Sequence, residues 1–234
     1  MTFAMMLVST LFKFLLILYL LSSYKTLPGA YFVRFYTPAV KYLLVPLFTG
    51  KNTKHTQRMQ GQRYAALGYV KFSTYASPLE CDLYFHKNNA TYFEELDISR
   101  CELMCALFQK LFLFSKRYPF IPVANVFTNY LKEIKPFDRY SVTSSVLCWD
   151  DKWIYIISRF TKKNDTVLCS LSLTKYVLKD GKKTIRPRDA LKYCGIYNEE
   201  VERVSQENMK ILVEKSGFHN TTELEKLKLD YFRI

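Results

Sequence analysis

A short polar run near the middle of the chain carries side chains that could do chemistry. Asp82 precedes His86 by four positions, and Asn88 and Asn89 follow. A carboxylate and an imidazole can activate a water molecule, and the unpaired amides at the start of a helix can stabilise a developing oxyanion. If the run is a site, it could hydrolyse a carbonyl compound such as an acyl thioester, with Asp82, His86 and Asn88 as catalytic candidates.

The same residues also have a structural interpretation. Asp82 could accept hydrogen bonds at the start of a helix, and Asn88 and Asn89 are of the type that caps helices. His86 could be a hydrogen-bonding residue, and Tyr92 fits a buried position. The residues alone leave both interpretations open.

The elements that would position this run are one long helix and several strands. Apolar residues recur with helical spacing from Thr91 to Phe114, and acidic residues lie in the first turns as the helix dipole favours. Segments typical of strands lie on either side, at residues 69–75, 123–130, 140–148, 153–160 and 166–178. A helix with consecutive antiparallel strands predicts an α+β fold.

The carboxyl-terminal part is predicted to contain a hairpin turn and two helices. Polar residues at 149–152 are typical of a turn between strands. A helix is predicted over residues 198–215, and Gly217 suits the position just beyond its end. A last helix is predicted to begin near Asn220 and to occupy residues 218–234.

Composition limits the class of protein. Apolar residues make up 49% of the 234 residues, which excludes a disordered chain, and seven glycines argue against a glycine-rich nucleotide-binding fold. The net charge of +13 favours anionic lipid or a phosphorylated molecule such as coenzyme A. No nucleic-acid motif accompanies the charge, so we expect no nucleic-acid partner. The six cysteines form no Cys-x-x-Cys pair, and we expect neither a metal nor a cofactor.

The amino-terminal segment is predicted to anchor the chain in a membrane. Residues 3–21 are almost continuously apolar, and at about 1.5 Å per residue they nearly match a hydrocarbon core of about 30 Å. We assign residues 1–24 to a transmembrane anchor. A cleaved signal peptide is the alternative, although Tyr24 is a poor residue beside a cleavage site.

The distribution of basic residues predicts on which side of the membrane the domain lies, and the polarity of residues 25–68 predicts their role. No basic residue precedes Lys13, whereas five follow the apolar segment by residue 54, so the domain is predicted to face the cytosol. Three Asn-x-Ser/Thr sequons favour the alternative, a secreted or lumenal protein. Residues 25–68 are assigned to a juxtamembrane segment and linker. Within them, residues 38–48 are predicted to lie along the membrane and residues 51–64 to form a loop.

Three motifs resemble a known family. The run from Asp82 to Tyr92 followed by Asp97, the hairpin of residues 148–155, and residues 197–199 resemble hotdog-fold proteins of the 4-hydroxybenzoyl-CoA thioesterase-like superfamily. They are particularly similar to the small membrane-anchored thioesterase-superfamily proteins of the endoplasmic reticulum. The matches span about residues 75–217 in the family's order.

The resemblance implies a fold, a site and an assembly. It implies a long central helix wrapped by an antiparallel sheet, and homodimers with active sites at the subunit interface. A carboxylate at the position of Asp82 serves as nucleophile or general base in many active members. Plant acyl-carrier-protein thioesterases have a catalytic Asn two residues before the His, whereas this chain has Tyr84.

The resulting hypothesis is a membrane-anchored acyl-CoA thioesterase-like protein with a hotdog domain over residues 69–217. Its partners are a fatty acyl-CoA or acyl-carrier thioester, the lipid bilayer and a second copy of the chain. We assign substrate contacts to Lys87, Asn89 and Tyr92. The alternative is a catalytically inactive hotdog module that binds acyl groups or partner proteins at the membrane.

Overall fold

Helices occupy both ends of the chain, and a sheet occupies its middle. The computed structural model describes residues 3–49, 52–116, 119–216 and 220–234. The helices are α1 (Phe3–Ser22), α2 (Ala30–Ala39), α3 (Val45–Thr49), α4 (Asn52–Gln60), α5 (Thr91–Leu107), α6 (Gln109–Phe114), α7 (Pro187–Cys194), α8 (Glu199–Lys210) and α9 (Thr222–Lys226). The strands are β1 (Tyr69–Tyr75), β2 (Val123–Tyr130), β3 (Arg139–Trp149), β4 (Trp153–Lys162), β5 (Val167–Asp180) and β6 (Lys183–Ile185).

The strands form one antiparallel sheet in the order β1-β3-β4-β5-β2, with β6 paired to β5. The predicted bounds of β1 and β2 are confirmed, and the three central strands are one or two residues longer than predicted at most ends. Asp150 makes the predicted hairpin turn, because its carboxylate accepts from the amides of Lys152 and Trp153, both at 2.7 Å. The predicted α+β class is confirmed.

Helix α5 packs on one face of the sheet and supplies the centre of the core. Leu96, Leu103 and Leu107 are at most 3% exposed. The predicted helix over residues 91–114 is interrupted at Phe108, where the backbone leaves helical geometry (φ −102°, ψ 22°) before α6 begins. The buried Phe108 ring shows that packing, rather than a breaker residue, fixes this bend.

The end of α8 and helix α9 cover the opposite face of the sheet, whereas α7 packs beside α6 in the same buried cluster as α5. Leu147, Ile157 and Leu171 point to this face and pack in one buried cluster with Leu224 and Leu229. Helix α8 begins at Asn198, whose side chain accepts from the amide of Val201 at 2.9 Å. Helix α7 and strand β6 were not predicted.

The prediction of a helix over residues 218–234 is wrong for most of that range. Within the described residues 220–234, only α9 is helical, and Leu227 just after it is extended. The last residues lie beside β1, where the Tyr69 amide donates to Phe232 O at 2.8 Å and the Ile234 amide donates to Tyr69 O at 3.0 Å. These backbone hydrogen bonds to β1 take the place of the helical hydrogen bonds that were predicted for the last residues. Gly217, predicted as the end of the preceding helix, lies outside the described residues.

Helix α1 is long and apolar enough to cross a membrane over Met5–Ser22. It is not buried against the rest of the protein. The next segment, predicted as a linker, is instead largely helical from Ala30 to Thr49, with a π-helical stretch at Val40–Leu44.

The segment from Ala30 to Thr49 packs along α5. The Tyr42 carbonyl accepts from Gln109 Nε2 at 2.6 Å, and this contact holds the segment against the domain. Helix α4 replaces the predicted loop at residues 51–64, and its His55 ring lies 2.9 Å from the Ala106 carbonyl. These contacts join residues distant in sequence, which a local pattern does not reveal.

Candidate active site

The polar run forms a tight turn just before α5. The Asp82 amide donates to the His86 carbonyl at 3.0 Å, and the Phe85 amide donates to the Asp82 carbonyl at 3.1 Å. Phe85 adopts the left-handed region with φ of 56°, which is uncommon for a large side chain. The turn lifts Leu83, Tyr84 and Phe85 into solvent, where they are 94%, 82% and 77% exposed. We call these three residues the apex.

The turn brings Asp82 and His86 together. Asp82 Oδ2 lies 3.4 Å from His86 Nδ1, and Asp82 Oδ1 accepts from the Tyr84 amide at 2.9 Å. Both side chains are partly open to solvent, with exposed fractions of 24% and 32%. The Tyr84 ring stacks on the His86 imidazole at 5.9 Å between centroids. A carboxylate beside an imidazole with solvent access can orient a water molecule and accept its proton.

Asn88 and Asn89 differ in their surroundings. Asn88 Oδ1 accepts from the Ala90 amide at 2.9 Å, and its carbonyl accepts from the Thr91 amide at 3.0 Å, so Asn88 shapes the start of α5. The exposed Asn89 receives a hydrogen bond on its carbonyl from Tyr130 Oη at 3.0 Å. Asn89 therefore lies next to the end of the edge strand β2.

Lys87 and Tyr92 do not have the predicted access to a substrate. Lys87 is 1% exposed, and its ammonium lies 3.0 Å from Glu80 Oε1. Tyr92 is 2% exposed and contacts the rings of Tyr130 and Phe160. Lys87 turns inward because Glu80 accepts from its ammonium inside the protein, and Tyr92 lies on the side of α5 that packs against the sheet.

Five charged residues form a buried chain behind the turn, in the order Lys87, Glu80, Lys25, Glu95 and Arg34. Lys25 Nζ lies 2.8 Å from Glu80 Oε2 and 3.0 Å from Glu95 Oε1, and Arg34 Nη2 lies 2.6 Å from Glu95 Oε2. Glu80 Oε2 also accepts from the Ser77 amide at 2.8 Å. This buried charge chain ties the residues just after α1 to both the turn and α5.

Burial sets the electrostatics of this chain. Lys25, Glu80 and Glu95 are at most 1% exposed. Burial opposes ionisation of Glu95, yet the nearby Lys25 and Arg34 outweigh it and hold the pKa of this carboxyl below its usual value. Burial lowers the pKa of Lys87, against the opposing effect of Glu80.

Sequence reasoning missed the buried charge chain. One signal was available, because Glu95 lies between the buried Tyr92 and Leu96 positions of the apolar stripe of α5. A charged residue on a buried stripe requires a partner of opposite charge. The identity of the partners, Lys25 and Arg34, depends on contacts across more than 60 residues.

Two cavities lie away from the turn. One of about 420 Å³ is lined by residues of the sheet and of the carboxyl-terminal segment, and one of about 320 Å³ lies between Leu173 and Leu212. Neither is lined by Asp82 or His86. The carboxylate and imidazole thus lie on an open surface of a single chain.

An antiparallel sheet packed on one long helix is the hotdog arrangement, and it defines the class of this protein. The family model described as Thioesterase-like superfamily matches residues 76–205. A protein named Probable thioesterase in Saccharomyces cerevisiae is 62% identical over 224 residues, which cover 96% of this chain and 97% of that protein. The chain belongs to the thioesterase-like superfamily.

Two further comparisons are with a curated relative and with a solved structure. Thioesterase poxG of Penicillium oxalicum is 32% identical over 204 residues, covering 70% of this chain and 67% of that protein. The crystal structure of a 1,4-dihydroxy-2-naphthoyl-CoA thioesterase from Synechocystis matches with a TM-score of 0.45 and 9% identity, covering 55% of this chain and 96% of that chain.

Proposed function

We propose that the protein is a membrane-anchored thioesterase that hydrolyses fatty acyl-CoA or an acyl-carrier thioester. The observation that carries the proposal is the Asp82 carboxylate, held 3.4 Å from the His86 imidazole at the start of a buried helix. Both groups are reachable from solvent, as a water-activating pair must be. The family and its thioesterase relatives support the same reaction class.

In this mechanism, a water molecule attacks the thioester carbonyl while Asp82 accepts its proton. His86 orients the water or the carbonyl. The amides of Ala90 and Thr91 already donate to Asn88, and the amide of the exposed Asn89 is proposed to stabilise the oxyanion. The C–S bond then breaks, the carbonyl re-forms, and the thiolate takes up the proton. The products are a fatty acid and a free thiol.

The full-length chain in detergent is expected to release free thiol from palmitoyl-CoA faster than from acetyl-CoA. A long acyl chain offers apolar area that an acetyl group lacks. Thiol release can be followed with a chromogenic disulfide reagent, with heat-denatured protein as the control. Saturable binding of palmitoyl-CoA without thiol release would contradict hydrolysis.

The second candidate function is an inactive hotdog module that binds acyl groups or partner proteins at the membrane. Two observations favour it. Asp82 Oδ1 already accepts from the Tyr84 amide, which is a structural use of the carboxylate. The two cavities described above are not lined by this residue.

Helix α1 is proposed as the membrane anchor, with the domain on the cytosolic side of the endoplasmic reticulum. The length and apolar composition of α1 support a span, and the basic residues after it support the cytosolic side. A secreted or lumenal protein is the alternative, because Asn89, Asn164 and Asn220 of the three sequons are exposed.

A homodimer is proposed to complete the site. Strand β2 lies at one end of the sheet order, and β5 is its only strand partner among the described residues, so a strand of a second copy could pair along its outer edge. The exposed apex lies beside Asp82, and the neighbouring Asn89 contacts the end of β2. A second copy packed over this region would enclose the carboxylate in a pocket that one chain does not provide.

Replacing Phe85 by Ser is expected to convert a dimer to a monomer and to lower thioester turnover in parallel, because it removes apolar area from the apex. Val213→Ser is the matched control, since Val213 is 70% exposed on the other side of the sheet. Light scattering of the full chain in detergent measures the mass. A Phe85→Ser protein that keeps the mass of the original protein would contradict an interface at the apex.

A further inference from the structure

An uncovered apolar face runs along the helical segment from Ala30 to Thr49. The opposite side of this segment is buried on the domain at Pro38, Tyr42 and Pro46. Its outer side exposes large apolar residues over a length of about 30 Å. These residues are Phe32, Val33, Tyr36, Val40, Leu44, Val45, Leu47 and Phe48, with exposed fractions from 42% to 82%. A contiguous apolar patch of this kind marks an interaction surface.

The part of the chain that contains this outer face carries only basic charged residues in its sequence. The first 79 residues contain nine lysines and arginines and no aspartate or glutamate. Lys54 and Arg58 are exposed on α4, immediately after the apolar face. Two exposed basic residues at the end of an apolar surface are complementary to an anionic lipid surface.

The connection to α1 is short and rigid. The last residue of α1, Ser22, accepts a hydrogen bond on its carbonyl from Tyr75 Oη of β1 at 2.5 Å. Lys25 is fixed in the buried charge chain, and α2 begins at Ala30. If α1 spans a bilayer, the domain surface next to Ser22 must therefore lie at the bilayer surface.

We propose that the outer face of residues 30–49 lies on the lipid bilayer, with Phe32 and Phe48 in the boundary between headgroups and acyl chains. This inference rests on the proposed anchoring by α1. An amphipathic helix in this position gains stability from its buried apolar area and from attraction to anionic lipid. It holds the start of α5, and with it Asp82, beside the compartment in which long-chain acyl thioesters dissolve. The substrate class that this arrangement favours is a thioester drawn from the membrane.

The test places a photoreactive benzophenone side chain at position 32, 48 or 213 of the full-length chain. Position 213 is the matched control, because the 70% exposure of Val213 lies between those of Phe32 (59%) and Phe48 (82%), but Val213 lies on the far side of the sheet. The chains are reconstituted in vesicles of phosphatidylcholine and phosphatidylserine, washed with alkaline carbonate and irradiated. Intact mass spectrometry then detects the mass of one added lipid.

Lipid adducts at positions 32 and 48 but not at 213 are the expected result. Cross-links to a second copy of the chain at positions 32 and 48 would overturn the inference in favour of a protein interface. Absence of any adduct there, in chains that resist the carbonate wash, would overturn it while leaving the anchor intact. Release of the chain by carbonate would contradict the anchor itself, and the inference would fall with it.

Discussion

Replacing Glu95 by Gln is expected to lower the free energy of unfolding by about 3–5 kcal/mol, the range found when one partner of a buried ion pair is removed. Glu95 is 0% exposed and lies against Lys25 at 3.0 Å and Arg34 at 2.6 Å. Without its carboxylate, the Lys25 ammonium keeps only Glu80 as an anionic partner. Denaturant unfolding of the full chain in detergent measures the loss.

A matched control lies on the same helix. Glu102 pairs with Lys41 at 3.2 Å, but Lys41 is largely exposed, so Glu102→Gln is expected to cost less than about 1 kcal/mol. The double variant Lys25→Met, Glu95→Gln is expected to lose less stability than the sum of the two single variants, since the charges are removed together. Equal losses for Glu95→Gln and Glu102→Gln would contradict the importance of the buried charge chain.

The carboxyl group of Glu95 also predicts that the stability of the fold depends on pH. The pKa of Glu95 is lower in the folded chain than its usual value of 4.5, because Lys25 and Arg34 outweigh the effect of burial. The unfolded chain therefore binds the proton more tightly than the folded chain. The stabilisation from Glu95 is present above about pH 4.5 and is lost as the pH falls below that value. In the Glu95→Gln variant, this part of the pH dependence should be absent.

Replacing Asp82 by Asn is expected to reduce thioester turnover by about 10²–10⁴-fold, the usual contribution of a general base. The substitution removes the charge but keeps an Oδ1 atom that can accept from the Tyr84 amide, as the carboxylate does at 2.9 Å. The turn and the melting temperature should therefore be nearly unchanged. Turnover of palmitoyl-CoA and thermal unfolding of the same preparation measure the two effects.

Asp151→Asn is the matched control for this experiment. Asp151 is an exposed aspartate in the hairpin between β3 and β4, and its substitution is expected to leave turnover unchanged. Full activity in Asp82→Asn would remove the carboxylate from the mechanism. A fall in both turnover and melting temperature would instead assign Asp82 the structural role of bonding the turn.

The local elements of the fold were predictable because their signals are local. Segments typical of strands gave β1 and β2 with correct bounds, and the polar residues at 149–152 predicted the hairpin turn, which Asp150 forms. The bend at Phe108 and the helix at residues 52–60 were not predictable in this way. Packing against distant residues determines both the bend and this helix. Neither a turn-forming residue nor an apolar periodicity in the local sequence predicts them.

The site was predictable in part for a similar reason. Asp82 and His86 are four positions apart, so a single turn suffices to bring their side chains together. Lys87 was assigned to the substrate, but it is buried, which is uncommon for a charged side chain without a partner. Its burial depends on Glu80, and that acceptor is positioned by the fold of the segment before the turn.

By itself, the sequence predicted the α+β class, the order of the strands along the chain, the apolar helix α1 and the polar run at Asp82 from periodicity and spacing within short windows. The hotdog family was predicted separately, from the resemblance of three motifs to its members. Only the tertiary structure decided that residues 25–49 belong with the domain, through the contacts of Lys25 and Arg34 with Glu95. The physical reason is that a buried charge requires a partner of opposite charge, and the chain supplies that partner from 60 or more residues away.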